Sequence, residues 1–259
     1  MRIEFDFIAV LLQWPLLAKG VLWTLGLTAI SAVIGLLVGT LCAWARSSGP
    51  LWLRWVVGSY VEIIRNTPLL VQIFLVFFGL ATLGWKVSAF GAALAALVIN
   101  VAAYTCEIMR AGMDSIHKGQ LEAAECLGLT RAQTYWHVIL LPALERVYPS
   151  LCSQYVLLML ASSVTSQISV EELTAMANHI QADTFRPFEA YILVAVLYLA
   201  LSLLMRLVLW LSGQLVFSRQ RALRGRGQAD AGRGAVEQLL AQQGLQLPDP
   251  VADRTGRDA

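Results

Sequence analysis

The sequence predicts an all-α membrane protein of five transmembrane helices, and three observations carry that prediction. Of its 259 residues, 58% are hydrophobic and only 14% are charged, where an ordinary soluble domain is about a quarter charged. The surplus apolar surface has to face lipid. The charges also stand apart like fence posts. They enclose 26 uncharged residues between Lys19 and Arg46, 20 between Arg65 and Lys86, 20 between Lys86 and Glu107, and 24 between Arg146 and Glu171. From Tyr191 to Ser218 only Arg206 interrupts a fifth run. Each run reaches the roughly 20 residues a helix needs to cross the hydrocarbon. The runs are continuous rather than alternating, which selects helices over a barrel.

Ahead of the first run, Glu4 and Asp6 spoil the positive region a signal peptide needs, and no small-residue cleavage site follows. This opening segment is expected to lie along the membrane surface. Five spans put the ends of the membrane part on opposite sides. With the C-terminal end cytoplasmic, eleven positive residues fall inside: Arg46, Arg54, Arg65, Arg110, Lys118, Arg131, Arg146, Arg219, Arg221, Arg224 and Arg226. Only Arg2, Lys19, Lys86 and Arg186 then fall outside, and the positive-inside rule selects that orientation. The third and fourth spans are joined by a cytoplasmic loop, residues 111–142. A loop of that length is functional or disordered. "LEAAECL" is rich in helix formers between Gly119 and Gly128, so it reads as a short helix. Leu121, Ala124 and Leu127 form its apolar face, and Glu122 and Glu125 its charged one. Alone such a helix is marginal, so it should dock on a cytoplasmic partner. Residues 1–218 make the membrane domain, and 219–259 a basic collar that contacts lipid phosphates and then a flexible tail, with a helical turn or two in "AVEQLLAQQ". No internal repeat divides the spans.

At Glu122, Ala123, Ala124, Gly128 and the "VILLP" ending at Pro142, the chain resembles the membrane-spanning permease subunits of ABC importers. Two further stretches resemble the polar amino-acid uptake branch of that family. One is Arg65, Thr67 and Pro68 in "IIRNTPLL"; the other is Tyr104, Glu107, Arg110 and Gly112 in "AAYTCEIMRAG". The likeness covers roughly residues 5–217. It implies the type I ABC importer permease fold with a cytoplasmic coupling helix, in a bacterial inner membrane. It also implies docking of an ATP-binding subunit through Gly119, Gln120, Glu122, Ala123, Ala124 and Gly128, and a second permease subunit, identical or related. An extracytoplasmic amino-acid-binding protein would deliver the substrate. Two departures stand out. The stretch from Gly128 to Pro142 is one residue longer than the family pattern. Leu160 and Ala161 stand where the family carries a lysine and an aspartate.

Polar residues within the spans give the substrate a route, because polar groups there face the bundle interior or a water-filled path. Asn100, Tyr104 and Glu107 recur at i, i+4 and i+7, one helical stripe with Asn100 near mid-bilayer. Ser162, Ser163 and Gln167, with Ser166, make a second patch on span four, counted from Pro149. The rival reading makes the serines packing residues and pairs Glu107 with Arg110. Arg65 and Pro68 are expected to set the start of span two at the interface. His117, His137 and His179 read as surface residues, and the four dispersed cysteines as structural ones. There is no phosphate-cradling G-x-x-x-x-G-K-[ST] loop and no nucleophile–base pair, so the chain is expected to be a transport subunit rather than an enzyme, with no cofactor, no metal and no nucleic-acid partner. A permease for another small polar solute and an ion channel subunit are the alternatives.

Overall fold

The computed structural model describes residues 6–242, with side chains through residue 216. Its elements are helical from end to end of that range, in the order α1 (Phe7–Leu11), α2 (Trp14–Ser48), α3 (Leu51–Arg65), α4 (Leu69–Thr82), α5 (Ala89–Asp114) and α6 (Lys118–Cys126). After these come α7 (Arg131–Gln133), a π-helical stretch Thr134–Leu140, α8 (Leu141–Ala161), a 3-10 stretch Ser162–Ile168, α9 (Leu173–Thr184) and α10 (Pro187–Gln242). Four helical segments are long and apolar enough to cross a membrane, and five when the bent pair α3–α4 is counted as one broken span.

Residues through Trp210 form one compact unit and those from Leu211 a second. The backbone of residues 219–242 is helical, well beyond the turn or two expected in "AVEQLLAQQ". Arg, Ala, Gln and Leu dominate that stretch, and all four are strong helix formers. Residues 243–259, the rest of the expected tail, lie outside the described residues.

Within the first unit, α5 is the central helix. It packs on α2, α3, α4 and α8, and its Ala92, Ala93, Ala96, Leu97, Ala103 and Cys106 are fully buried. Close approach of α2 to α5 depends on small residues. A Cβ added to Gly39 would lie 2.6 Å from Thr105 Cβ and 2.8 Å from the backbone oxygen of Ala102. Between helices in lipid, where apolar burial no longer drives association, such close packing is the main adhesive.

The opening segment also packs on the protein. Asp6 caps α1 by accepting from the amides of Ile8 and Ala9 at 3.2 and 3.3 Å. Val10 is buried in a second apolar cluster with Leu17, Leu173, Ile180 and Val194. The segment is thus pinned to α9 and α10, with Ile8 and Leu12 left facing outward.

The cap of α9 is a buried acid. Glu172, 0% exposed, accepts from the amides of Thr174 and Ala175 at 2.9 Å each and from the Tyr198 hydroxyl at 2.6 Å. Burial pushes its carboxyl up from the usual range, against those three donors, which favour the charged form. The Leu173 amide donates to Thr24 Oγ1 at 3.1 Å, so α2, α9 and α10 meet at one polar knot.

The α2–α5 seam gives a direct test. Gly39→Val places a branched side chain against backbone and should lower the midpoint of thermal unfolding in detergent by about 5 °C, the effect of about 1–3 kcal/mol of overpacking. Gly26→Ala, where nothing lies within 4 Å of an added Cβ, should leave the midpoint unchanged. Equal behaviour of the two variants would show that the seam is not a close contact.

Candidate functional site

The second crossing is the element that departs most from the sequence pattern. The uncharged run between Arg65 and Lys86 suggests one straight helix. Instead α4 has 14 residues, about 21 Å of helix against a hydrocarbon core of about 30 Å. It is bent by 111° from α3 across the break Asn66–Pro68. Pro68 has no amide hydrogen and its ring disfavours helical geometry at Thr67, so a helix ends before it and a new one starts after it. The depth of the break follows from its contacts with α5. Gln72, in the first turn of α4, accepts from Asn100 Nδ2 at 2.9 Å. The Arg65 guanidinium stacks over the Tyr104 ring, 5.5 Å from its centroid. By rise per residue, Asn100 is about 17 Å from the start of α5 and about 21 Å from its end. The break therefore lies at the level of the middle of α5 rather than at either of its ends.

At this break Arg65, Asn66, Thr67 and Pro68 are all exposed. Among the described residues Arg65 forms no salt bridge. Irregular backbone at membrane depth is tolerated only where protein buries it or where it lines a water-filled cavity. In the first turn of α4 the amides of Val71 and Gln72 donate to Pro68 O at 3.1 and 3.2 Å, which leaves those of Leu69 and Leu70 at the open end of the helix.

Glu107 lies two turns further along the stripe and is committed to two arginines. Arg46 Nη1, from the end of α2, lies 2.6 Å from its Oε2. Arg110 donates from Nε to Oε1 at 3.0 Å and also contacts that oxygen through Nη2. Arg110 in turn reaches Asp114 Oδ2 at 2.6 Å. The expected Arg110 pair is present, and Arg46 adds a second clasp that joins α2 to α5. A cavity of about 700 Å³ opens beside the cluster, lined among others by Arg46, Arg54, Glu62 and Arg110.

The second polar patch is built differently. Helix α8 starts before Pro149, which sits inside it, and it tightens into the 3-10 stretch at Ser162. The Ser162 hydroxyl is fully buried and donates to Met159 O at 2.7 Å. Ser163 donates to Leu160 O at 2.7 Å and Ser166 to Ser163 O at 2.8 Å. These hydroxyls satisfy carbonyls of their own helix, while the Gln167 side chain is exposed.

In the loop, α6 contains the expected short helix. Gly119, Gln120, Glu122 and Ala123 are exposed. Ala124 is only 2% exposed, so it faces this chain rather than a partner, whereas Leu127 is 78% exposed. Gly128 ends the helix with φ +70°, a left-handed conformation that favours glycine. The one-residue excess between Gly128 and Pro142 coincides with the π-helical stretch Thr134–Leu140, whose wider turn takes up an added residue.

Sequence reasoning missed Gln72 and Arg46. Gln72 carried a signal, a lone amide in the apolar run "LLVQIFLVFFGL". Arg46 carried none, since a cation at a helix end reads as topology. The three histidines are exposed as expected. The described cysteines are all free thiols, with Cys126 exposed and Cys106 buried.

Comparison with known proteins places these features in context. Residues 9–216 match the family model described as binding-protein-dependent transport system inner membrane component. The chain is 36% identical over 208 residues to the glutamine transport system permease protein of Escherichia coli strain K12, covering 80% of this chain and 95% of that one. It is 37% identical over 196 residues to the L-cystine transport system permease protein of Bacillus subtilis strain 168, covering 75% of this chain and 84% of that one. A solved amino acid ABC transporter crystallised with histidines superposes with a TM-score of 0.75 at 37% identity, over 82% of this chain and 99% of that chain. The MetNI methionine ABC transporter, at 22% identity and a TM-score of 0.66 over 79% of this chain and 97% of that one, shares the fold.

The ion-pair cluster can be tested without reference to activity. Glu107→Gln leaves Arg46 and Arg110 facing each other with no carboxylate between them. The thermal midpoint in detergent should fall by about 5 °C, for charge-assisted bonds worth about 2 kcal/mol. Adding Arg46→Gln should recover part of that loss, because the two positions are coupled. A simple sum of the single effects would show that Arg46 and Glu107 act independently.

Proposed function

The chain belongs to the family of binding-protein-dependent transport system inner membrane components, and we propose that it passes a polar amino acid across the membrane. As a member of that family it is a multi-pass inner-membrane permease subunit of an ATP-driven ABC importer. It is a transport subunit and not an enzyme, since ATP hydrolysis belongs to a separate subunit.

The observation that carries the substrate reading is the mid-depth break of span two. An amino acid needs donors for its carboxylate and acceptors for its ammonium. The Arg65 guanidinium and the first two amides of α4, those of Leu69 and Leu70 at the positive end of a helix dipole, supply the donors. Broken helices of this kind hold zwitterionic solutes in other transport folds. The Tyr104 hydroxyl and the side-chain oxygen of Asn100 supply acceptors on the facing stripe. Ser163 and Gln167 belong to the wall of the path, Ser162 to its packing, and Glu107 with its two arginines to a clasp on the cytoplasmic side. Leu160 and Ala161 hold no charge, so recognition rests on the Arg65 side. Relatives whose names specify glutamine and L-cystine support a polar amino acid as substrate.

The partners follow from the surfaces. An ATP-binding subunit docks on Gly119, Gln120, Glu122 and Ala123 of α6, with Gly128 setting where that helix ends and Ala124 supporting it from within. One bundle of five crossings encloses no sealed path, and a second permease subunit closes it by two-fold pairing. A binding protein delivers the amino acid at the α9 side. The segment preceding span one is then extracytoplasmic and the end of span five cytoplasmic.

Two experiments test this. In proteoliposomes holding the assembled importer, Arg65→Ala should lower amino-acid uptake by about tenfold or more, a loss of about 1.4 kcal/mol of interaction. Co-purification of the ATP-binding subunit should persist, and normal uptake would refute the path through the break. For orientation and docking, single cysteines replace His179 and Gln120, both exposed, in a background without the native cysteines. Position 179 should label from outside. Position 120 should label only after permeabilisation, and be shielded when the ATP-binding subunit is bound. The reverse pattern would overturn the orientation, and labelling at 120 indifferent to the subunit would overturn the docking surface.

A further inference from the structure

A helix that breaks at membrane depth has to find partners for the carbonyls it frees, because no bulk water reaches them from the lipid side. At the end of α3 the Glu62 carbonyl keeps its helical donor, the Asn66 amide at 3.1 Å, and the freed carbonyls of Ile63 and Ile64 are each met by a side chain just downstream. The Glu62 carbonyl also accepts from Asn66 Nδ2 at 2.8 Å. The Ile63 carbonyl accepts from Thr67 Oγ1 at 2.9 Å. The Ile64 carbonyl accepts from Gln72 Nε2 at 2.7 Å. Gln72 does more than the other two. Its Nε2 also reaches Thr67 O at 3.0 Å and Thr67 Oγ1 at 2.8 Å, while its Oε1 accepts from Asn100 Nδ2 at 2.9 Å. One side chain, 5% exposed, thus joins the end of α3, the broken turn, the first turn of α4 and the polar stripe of α5.

No smaller group of atoms does this. A methyl or thioether at the tip would leave the Ile64 and Thr67 carbonyls and the Asn100 amide without partners. A carboxylate keeps the acceptor for Asn100 but loses both donor hydrogens and faces two carbonyl oxygens. Asparagine is one methylene short of the α3 carbonyl. The primary amide on a two-carbon stem supplies two donor hydrogens and an acceptor together at that reach.

We infer that Gln72 is a positioning residue for translocation, fixing the bend between α3 and α4 so that Arg65 and the first turn of α4 face Asn100 and Tyr104 at one site. The inference rests on the translocation reading above. Gln72 touches no substrate; it acts through Asn100 and the backbone of the break. A merely structural role would change how much transporter assembles. A positioning role changes what each assembled transporter does.

The test uses the full importer in proteoliposomes, with uptake expressed per assembled complex. Gln72→Met should lower uptake by about tenfold, the weight of one buried hydrogen bond to the site. Gln72→Glu, which keeps size and the acceptor, should lower it similarly. Asn100→Leu should do the same, and the double variant Gln72→Met, Asn100→Leu should be no slower than the slower single one. A function-independent readout runs beside it. A cysteine at Asn66, on the exposed break, should react with a small water-soluble thiol reagent at a rate altered severalfold by Gln72→Met. If Asn100→Leu leaves uptake unchanged, the translocation reading of the stripe fails and takes this inference with it. If Asn100→Leu slows uptake but the Gln72 variants match the wild type per complex, or if the two losses multiply, the inference alone is overturned. An unaltered reaction rate at position 66 overturns it as well, including for a variant that assembles poorly.

Discussion

A backbone carbonyl or amide at membrane depth has to be hydrogen-bonded within the protein or within a water-filled recess, and the architecture of this chain follows from that constraint. Four helical segments obey it in the simplest way, by staying wound through the apolar layer. The second crossing does not, because Pro68 interrupts it. It survives because Thr67 and Gln72 take over the freed carbonyls of Ile63 and Ile64. The same interruption exposes Arg65 and the amides that open α4, groups a continuous helix would have hidden. What is an energetic liability in lipid is the chemical resource of the site.

Around that break the other contacts hold positions. Helix α5 carries the facing stripe and is gripped by α2 in two ways. Gly39 lets the backbones approach, and the Arg46–Glu107 pair at 2.6 Å fixes the C-terminal end of α2 against α5. The first grip is dispersion between small residues. The second is directional, and it brings a guanidinium from one helix to a carboxylate already held by Arg110. The knot of Thr24, Glu172 and Tyr198 gives the opposite end a comparable anchor.

In the loop, the polar helix α6 buries one small residue, Ala124, and presents most of its remaining surface outward. The route from α6 to the fourth crossing is continuous helix from Arg131 onward, with a single π-helical stretch. The π turn accommodates the added residue without interrupting that helix.

Much of this was legible from residue order alone. The spacing of charges marked five crossings, because hydrocarbon thickness sets a minimum apolar length that any spanning helix has to meet. Glycine after "LEAAECL" marked the end of a short helix, because few other residues adopt a positive φ there. The stripe Asn100, Tyr104, Glu107 was visible because helical periodicity depends on nearest neighbours in sequence. The tertiary structure decided what each of these residues meets. That Gln72 faces Asn100, that Arg46 reaches Glu107 and that Ala124 turns inward depend on partners 28 and 61 residues away or on another helix altogether. The apolar run after Arg65 did not disclose its bend, since composition measures affinity for lipid and says nothing of direction. Local chemistry determined which segments enter the membrane; only packing between segments decided where their polar groups point.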